Sequence, residues 1–355
     1  MNHLSSGVRV SYKLAESILK ELRKHKTIDL SLEFIRETDT LVIPTTVPEE
    51  KLAVILRKFK NKYAFTTQNF TIKEVSPSNL FDSVKDDIPP KLHEFIPKSY
   101  DVIGDIVIVD INEEIIIYKD EIGSALLSLF PSINTVYRKA SAVSGELRVR
   151  EVELLAGEKK CETIHSEHGI RIWVNVCEAY FSPRLGHEHK RIADKILENE
   201  IVVDLFTGVG SFPLHITKNV NATVFAVDIN KVALKCLEKS MELNKLKGKI
   251  ALIYGDCRLV TNSLLQADRI IMNLPSKAQE YFDVVCRIIK PGGIVYFYQF
   301  VPEEEAEIKM REILEEKLRE HKFVIKEVLS FQKIRESAPR EIHACLEASI
   351  SPFST

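Results

Sequence analysis

The sequence predicts an open, doubly wound α/β sheet of the Rossmann-like kind, preceded by two small α+β domains. Three observations carry this expectation. Short apolar runs at 201–203 (IVV), 224–227 (VFAV), 251–254 (ALIY) and 270–272 (IIM) recur at the spacing of βα units. Each run is followed by a polar group at its tip: Asp204, Asp228, Asp256 and Asn273. The first run leads through a glycine turn, Thr207-Gly208-Val209-Gly210, into a helix opening at Ser211. Strand, tight turn and helix form the ligand crevice of such sheets. Glycine there lets the backbone approach a ligand where a Cβ would clash.

At 355 residues the chain has room for two or three domains. Hydrophobic residues at 45% and charged residues at 28% describe a soluble globular protein. No apolar run approaches the roughly 18 residues of a membrane span, and MNHLSSGVRV has no apolar signal core, so a cytoplasmic location is expected. The cysteines at 161, 177, 236, 257, 286 and 345 form no C-x-x-C pair. That spacing argues against zinc fingers and a disulfide framework, and for small core side chains. Residues 1–70 carry 12 Lys/Arg against 8 Asp/Glu, while the whole chain is at −2. A mildly basic N-terminal part on an acidic body is compatible with an RNA-docking appendage.

In chain order, residues 8–26 predict a strand or turn and then an amphipathic helix with Leu14, Ile18 and Leu22 on one face. A strand follows at 41–44 and a helix at 51–60. Arg57 to Tyr63 interleaves basic and aromatic residues, a pattern that can grip phosphates and stack bases. A solvated helix end with core aromatics explains it more simply. Four prolines within 71–98 suggest a linker with one short helical piece and a domain boundary near 74. Residues 99–170 predict an α+β unit with strands at 102–111, 115–118, 135–139 and 146–155 and a helix at 122–130. In the last of these strands Arg148 and Arg150 share one face.

Residues 169–176 form a strand leading into the third domain, and 186–197 a helix. His187, Glu188 and His189 invite a metal reading, but neighbours two apart on a helix do not converge on one ion. His165 and His168 have no third ligand nearby in sequence, so no metal is expected. The C-terminal third predicts a helix at 278–289, a strand at 292–298, a charged helix at 303–321, and closing strands at 323–331 and 342–349 joined by 333–340.

A carboxylate at the tip of the second strand, Asp228, suits a ribose diol. The turn lacks the third glycine of the dinucleotide fingerprint, Pro213 standing there instead, which argues against a nicotinamide cofactor. The strand-tip array resembles the class I S-adenosylmethionine-dependent methyltransferases. With further blocks added, the chain resembles the archaeal and eukaryotic tRNA (guanine-37-N1)-methyltransferases, the archaeal branch most nearly. These blocks are GELRVRE (145–151), TIHSEHGIRIWVNV (163–176), YFSPRLGHEHKRIA (180–193), VVDLFTGVGSFPL (202–214), AVDIN (226–230), GDC (255–257), MNLP (272–275) and SAPRE (337–341).

The resemblance implies three domains: 1–74 for tRNA recognition, 75–170 for RNA binding and 171–355 for catalysis. It implies Glu188 as general base and Arg148 as the group stabilising charge on the guanine oxygen. His189, Asp204, Phe206, Gly208, Gly210, Asp228, Ile229, Asp256, Cys257 and Asn273 would hold S-adenosylmethionine. Tyr180, Arg184, Asn273 and Pro275 would meet the target base of a tRNA carrying guanosine at position 37. A monomer is expected. The chemistry is coherent in itself: N1 of guanine must lose a proton before it attacks, and the charge that then develops on O6 calls for a cation. A related wybutosine-pathway transferase shares the fold, but MNLP favours the guanosine enzyme. No cysteine nucleophile follows Pro275, and the adenine N6 tetrad is absent. A catalytically silent tRNA-binding protein is the alternative from another class.

Overall fold

The computed structural model describes residues 2–72, 79–141, 149 and 151–353. The chain divides into two compact units, 1–78 and 79–355.

The first unit runs β1 (Asn2–Ser11), α1 (Tyr12–Lys24), β2 (Ile35–Arg36), β3 (Thr40–Pro44), α2 (Glu49–Ile55) and β4 (Tyr63–Thr71). Its strands form an antiparallel sheet in the order β2-β3-β1-β4. α1 buries Ala15, Ile18 and Leu22 in the core with Val8, Val10, Leu52 and Leu56, on the face the apolar spacing predicts. The helix expected over 51–60 ends early: α2 stops at Ile55, and Arg57–Phe59 is a single 3₁₀ turn. Phe59 and Tyr63 pack against this core while Arg57, Lys58, Lys60 and Lys62 stay exposed, and Lys58 pairs with Glu21.

The second unit opens with α3 (Leu80–Val84) and a 3₁₀ turn at Pro90–Phe95. Leu80, Val84, Ile88 and Ile96 are buried in one cluster with Ile115, Ile122 and Leu126, so residues 79–98 are packed structure rather than linker. The single strand expected over 102–111 is a hairpin of β5 (Tyr100–Ile103) and β6 (Ile106–Val109), turned at Gly104 with φ 56°. The strand expected at 115–118 is instead a 3₁₀ turn, Glu113–Tyr118. It is begun by Asn112, whose side chain accepts from the Glu114 N–H at 2.9 Å. There follow α4 (Lys119–Leu129), β7 (Thr135–Lys139) and β8 (Val152–Gly157), giving the sheet order β5-β6-β7-β8. Most of GELRVRE, Arg148 and Arg150 included, lies outside the described residues.

β9 (Glu162–Glu167) and β10 (Ile170–Asn175) make a separate hairpin. Its last pair, Glu162 with Asn175, brings Cys161 and Cys177 together at the open end, where they form a disulfide with Cα atoms 5.5 Å apart. Separation by 16 residues hides this pair in the sequence, and the expectation of unpaired cysteines is corrected here. Cys236, Cys257 and Cys345 are free and buried, as expected.

After α5 (Gly186–Ala193) come β11 (Ile201–Asp204), α6 (Ser211–Asn219), β12 (Thr223–Asp228), α7 (Lys231–Leu243), β13 (Lys249–Tyr254), α8 (Cys257–Val260), β14 (Ala267–Met272), α9 (Phe282–Ile288), β15 (Ile289–Pro302), α10 (Ala306–Glu320), β16 (Phe323–Ala338) and β17 (Glu341–Pro352). The sheet has seven strands in the order β13-β12-β11-β14-β15-β17-β16. The first five are parallel, and the last two join antiparallel. The order reverses between β11 and β14, and such a switch point opens a crevice beyond the carboxyl ends of the strands. β15 and β16 run past their expected ends, and only Pro339 and Arg340 separate β16 from β17.

Candidate active site

A cavity of about 520 Å³ opens at the carboxyl ends of the parallel strands. Its near wall comes from β11, β12 and β13. The Thr207–Gly210 turn closes on itself, with the Gly210 N–H donating to the Thr207 carbonyl at 2.9 Å. Both glycines have positive φ, 54° at Gly208 and 84° at Gly210. They serve different ends. A Cβ on Gly210 would lie 2.2 Å from Leu237, so packing excludes one, whereas one on Gly208 would meet only the Tyr180 carbonyl at 3.8 Å. Gly208 lines the cavity and Gly210 does not.

Asp228 sits at the tip of β12 and accepts from the Gly208 N–H at 2.6 Å and the Asn230 N–H at 2.7 Å. Burial raises its carboxyl above the usual range against these bonds. Asn230 in turn caps α7 by accepting from Val232 and Ala233. Asp204 is fully buried behind the turn rather than in the cavity wall. Its Oδ2 has no hydrogen-bond partner among the described residues, and burial, with Asp228 nearby, pushes its carboxyl up to about 7.

Asp256, at the tip of β13, is gripped by Arg258 through contacts of 2.6 and 3.1 Å, which hold its carboxyl below the usual range. Arg258 lies 5.1 Å from the Tyr281 ring, and Tyr281 meets Phe206 edge-on at 4.9 Å. With Ile229 and the buried Cys257, these residues give the near half a flat, largely apolar slot. Tyr281 and Arg258 were not expected here; Arg258 directly follows the tip of β13, whereas Tyr281 comes from a 3₁₀ turn at Ala278–Tyr281 that no strand tip marks.

The far wall begins at the tip of β14, where Asn273, Leu274 and Pro275 line the cavity. The Phe300 N–H donates to the Pro275 carbonyl at 3.4 Å, tying this tip to β15. Phe300, Arg335 and His343 complete the wall from β15, β16 and β17. Tyr180 lies on the rim, shared with a smaller cavity. Arg184 lines only that smaller cavity and donates to Asp101 at 2.7 Å.

Glu188 departs from expectation. It is on α5 and buried, but its carboxylate does not line the cavity. Arg191 grips it at 2.6 and 2.7 Å, and the Tyr298 hydroxyl donates to it at 2.5 Å. Arg191 also pairs with Glu347, which Lys195 holds at 2.6 Å. The flanking residues Leu185 and His189 do reach the cavity, so Glu188 stands one layer behind the wall. Residues three apart on a helix meet, which is why Arg191 captures it. The structure therefore does not bring Glu188 to the target position in this conformation, and Arg148 is outside the described residues.

His189 lines the cavity, and its Nδ1–H donates to Glu167 at 2.8 Å. Glu167 accepts from His215 Nε2–H at 2.8 Å as well. Burial would raise the Glu167 carboxyl, but the two imidazoles overcome this and hold it at about 2. Glu167, His189 and His215 are also a set of ligand types that could hold a metal, drawn from three separate elements. Here one N–H of each ring is spent on Oε1 of the carboxylate, while the buried Oε2 has no hydrogen-bond partner among the described residues. His187 and His189 do not share this cluster, as the helix spacing requires.

Comparison with known proteins follows the same lines. Residues 163–326 match the model of the TRM5/TYW2 methyltransferase domain, and 80–160 match that of the TYW2 N-terminal domain. The chain is 35% identical over 351 residues to the tRNA (guanine(37)-N(1))-methyltransferase Trm5b of Pyrococcus abyssi, covering 98% of this chain and 100% of that one. The chain belongs to the tRNA (guanine-37-N1)-methyltransferase family. Trm5b of Methanocaldococcus jannaschii is 40% identical over 257 residues, 72% of either chain. Among solved structures, aTrm5 in its complex with tRNALeu superposes with a TM-score of 0.80 at 32% identity, covering 97% of this family member and 99% of that chain. The fold expected from the strand-tip array is thus the fold of the family.

Proposed function

We infer that this chain transfers a methyl group from S-adenosylmethionine to N1 of guanosine 37 in tRNA. The observation that carries this reading is the full-length likeness to enzymes of that name. The cavity fits the cofactor. Gly208 leaves open backbone beside the buried Thr207 hydroxyl, which neighbours the Asp204 carboxyl. Asp228 offers remaining lone pairs to a ribose diol, and Phe206, Ile229 and Cys257 offer an apolar slot to adenine, with Asp256 at its edge. When bound, S-adenosylmethionine supplies an electrophilic methyl on a sulfonium.

The acceptor side follows. Tyr180 and Pro275 flank the extruded base, and Asn273 faces its Watson–Crick edge. Unstacking a loop nucleotide costs a few kcal/mol, less than opening a duplex. Glu188 is the general base once it leaves the Arg191 fork, since there its oxygens are occupied by Arg191 and Tyr298 and do not line the cavity. Catalytic hydrogen bonds commonly form only in the substrate complex. Arg148 stabilises charge on O6. We also propose that residues 1–74 recognise tRNA, that 75–170 bind RNA, and that 171–355 carry catalysis in a cytoplasmic monomer that needs no metal.

The test is nucleoside mass spectrometry of tRNA treated with the purified chain and S-adenosylmethionine. 1-Methylguanosine is the expected product. The match of residues 80–160 to a TYW2 domain model favours one second reading, aminocarboxypropyl transfer to a wyosine-type base. Such a product would overturn the first reading, and no product at all would point to a silent binding protein.

A further inference from the structure

The methyl-transfer reading uses the tips of β11 to β14 and the rim at Tyr180, and leaves the part of the far wall built by β15, β16 and β17 without a task. That wall has an unusual chemical content. His343 is 2% exposed, its ring lines the cavity, and neither ring nitrogen has a hydrogen-bond partner among the described residues. A buried polar group left unpaired is costly, so native structures rarely keep one without a partner or a use. Burial, with the Arg335 charge beside it, pushes the imidazole down to about 3. The ring is therefore neutral at any working pH, with one N–H donor and one acceptor.

Topology places this ring on the acceptor side. The strands bearing the cofactor groups, β11, β12 and β13, lie on one side of β14, and β15, β17 and β16 lie on the other. Phe300 and Arg335 are the direct cross-strand partners of His343, so the three side chains share one face. The His343 ring is 5.3 Å from that of Phe300, whose own N–H reaches Pro275. Arg335 has a buried Nε without a partner among the described residues and lines both the main and the smaller cavity.

A guanine whose N1 points at the methyl donor turns the opposite edge of the purine away from the cofactor. That edge carries N7, an acceptor with no proton of its own. We propose that His343 is a base-contacting residue whose ring N–H donates to N7 of the target purine, with Arg335 beside it facing the flanking phosphate. This rests on the methyl-transfer reading and extends it to an edge of the base that takes no part in the reaction.

The experiment is a cycle between protein and substrate, run on the full chain under single-turnover conditions. The wild type and His343→Ala, His343→Asn and His343→Phe are compared on tRNA carrying guanosine or 7-deazaguanosine at position 37. S-Adenosylmethionine affinity and melting temperature are measured for each. On guanosine, His343→Ala and His343→Phe should lose at least tenfold in rate over KM, while cofactor affinity stays within twofold. His343→Asn, which keeps an N–H donor, should recover part of the loss. The 7-deaza substrate should cost the wild type a similar factor and the Ala variant nothing further. A purely structural role would lower both substrates equally for each variant, and that result overturns the proposal. So does an Ala variant within twofold of wild type on guanosine. If the wild type methylates neither tRNA, the methyl-transfer reading itself has failed, and that outcome is distinct from the other two. If His343→Ala melts early, the isosteric His343→Phe carries the comparison.

Discussion

The two halves of the cavity are built in opposite ways. The near half is local: each group stands at the tip of its own parallel strand, within a few residues of the run that predicts the strand. Asp228 reaches the Gly208 N–H across two adjacent strands, and Asp256 is held by Arg258 two residues on. The far half is assembled from distant parts of the chain. Phe300, Arg335 and His343 meet because β17 enters the sheet between β15 and β16, and Tyr180 and Asn273 reach the same cavity from other segments. Glu188 belongs to neither half as it stands, held behind the wall by Arg191 and Tyr298. The half proposed for the cofactor is a matter of strand tips, whereas the half proposed for the acceptor base depends on long-range topology.

The largest effect should come from the residue that belongs to neither half. Glu188→Gln should slow single-turnover methyl transfer by about 10²–10⁴-fold while cofactor and tRNA affinities hold. A rate within threefold of wild type would reduce Glu188 to a strut for Arg191, and the base would have to be sought among groups lining the cavity. Next is the turn that fixes the near half. Gly210→Ala adds a Cβ at positive φ against Leu237 and should cost about 1–3 kcal/mol in denaturant unfolding. A stability equal to wild type would mean that α7 gives way easily and the near half is less rigid than its contacts imply.

Within the near half, Asp228→Ala should weaken S-adenosylmethionine binding by at least tenfold, about 1.4 kcal/mol. Calorimetry reads this directly, and unchanged affinity would separate Asp228 from the ribose and leave it a purely structural acceptor for Gly208. The last prediction concerns pH. The Glu167 carboxyl is held at about 2 in the folded chain, below its ordinary 4.5. Its contribution is therefore complete above about 4.5 and is lost as pH falls toward 2. Glu167→Gln should flatten that part of the acid limb in melting experiments, and an unchanged limb would show that the two histidines do not stabilise the charged carboxylate.

How much of this was legible beforehand follows the same division. Ile201–Asp204, Thr223–Asp228 and Ala267–Met272 were readable because parallel inner strands are short, apolar and closed by a polar tip. The hairpin at Gly104 and the turn at Glu113–Tyr118 were not, because apolar runs alone do not distinguish one strand from two, or a strand from a buried turn. The disulfide and the Glu167 cluster each join residues from separate segments, and no periodicity marks them. His343 did leave a trace: it is a lone imidazole in the otherwise apolar stretch IHACL of an inner strand, where a polar group calls for an explanation.

The position of β17 has a consequence for how the molecule is made. Residues 341–352 form an interior strand with neighbours on both sides. On the ribosome, segments that leave the exit tunnel first begin to fold first. β11 to β14, and with them the crevice proposed for the cofactor, are all in hand while β15 to β17 are still being synthesised. The wall that bears His343, Phe300 and Arg335 waits for Glu341–Pro352. A nascent chain can thus acquire the means to hold its methyl donor before it acquires the surface against which an RNA base would be placed.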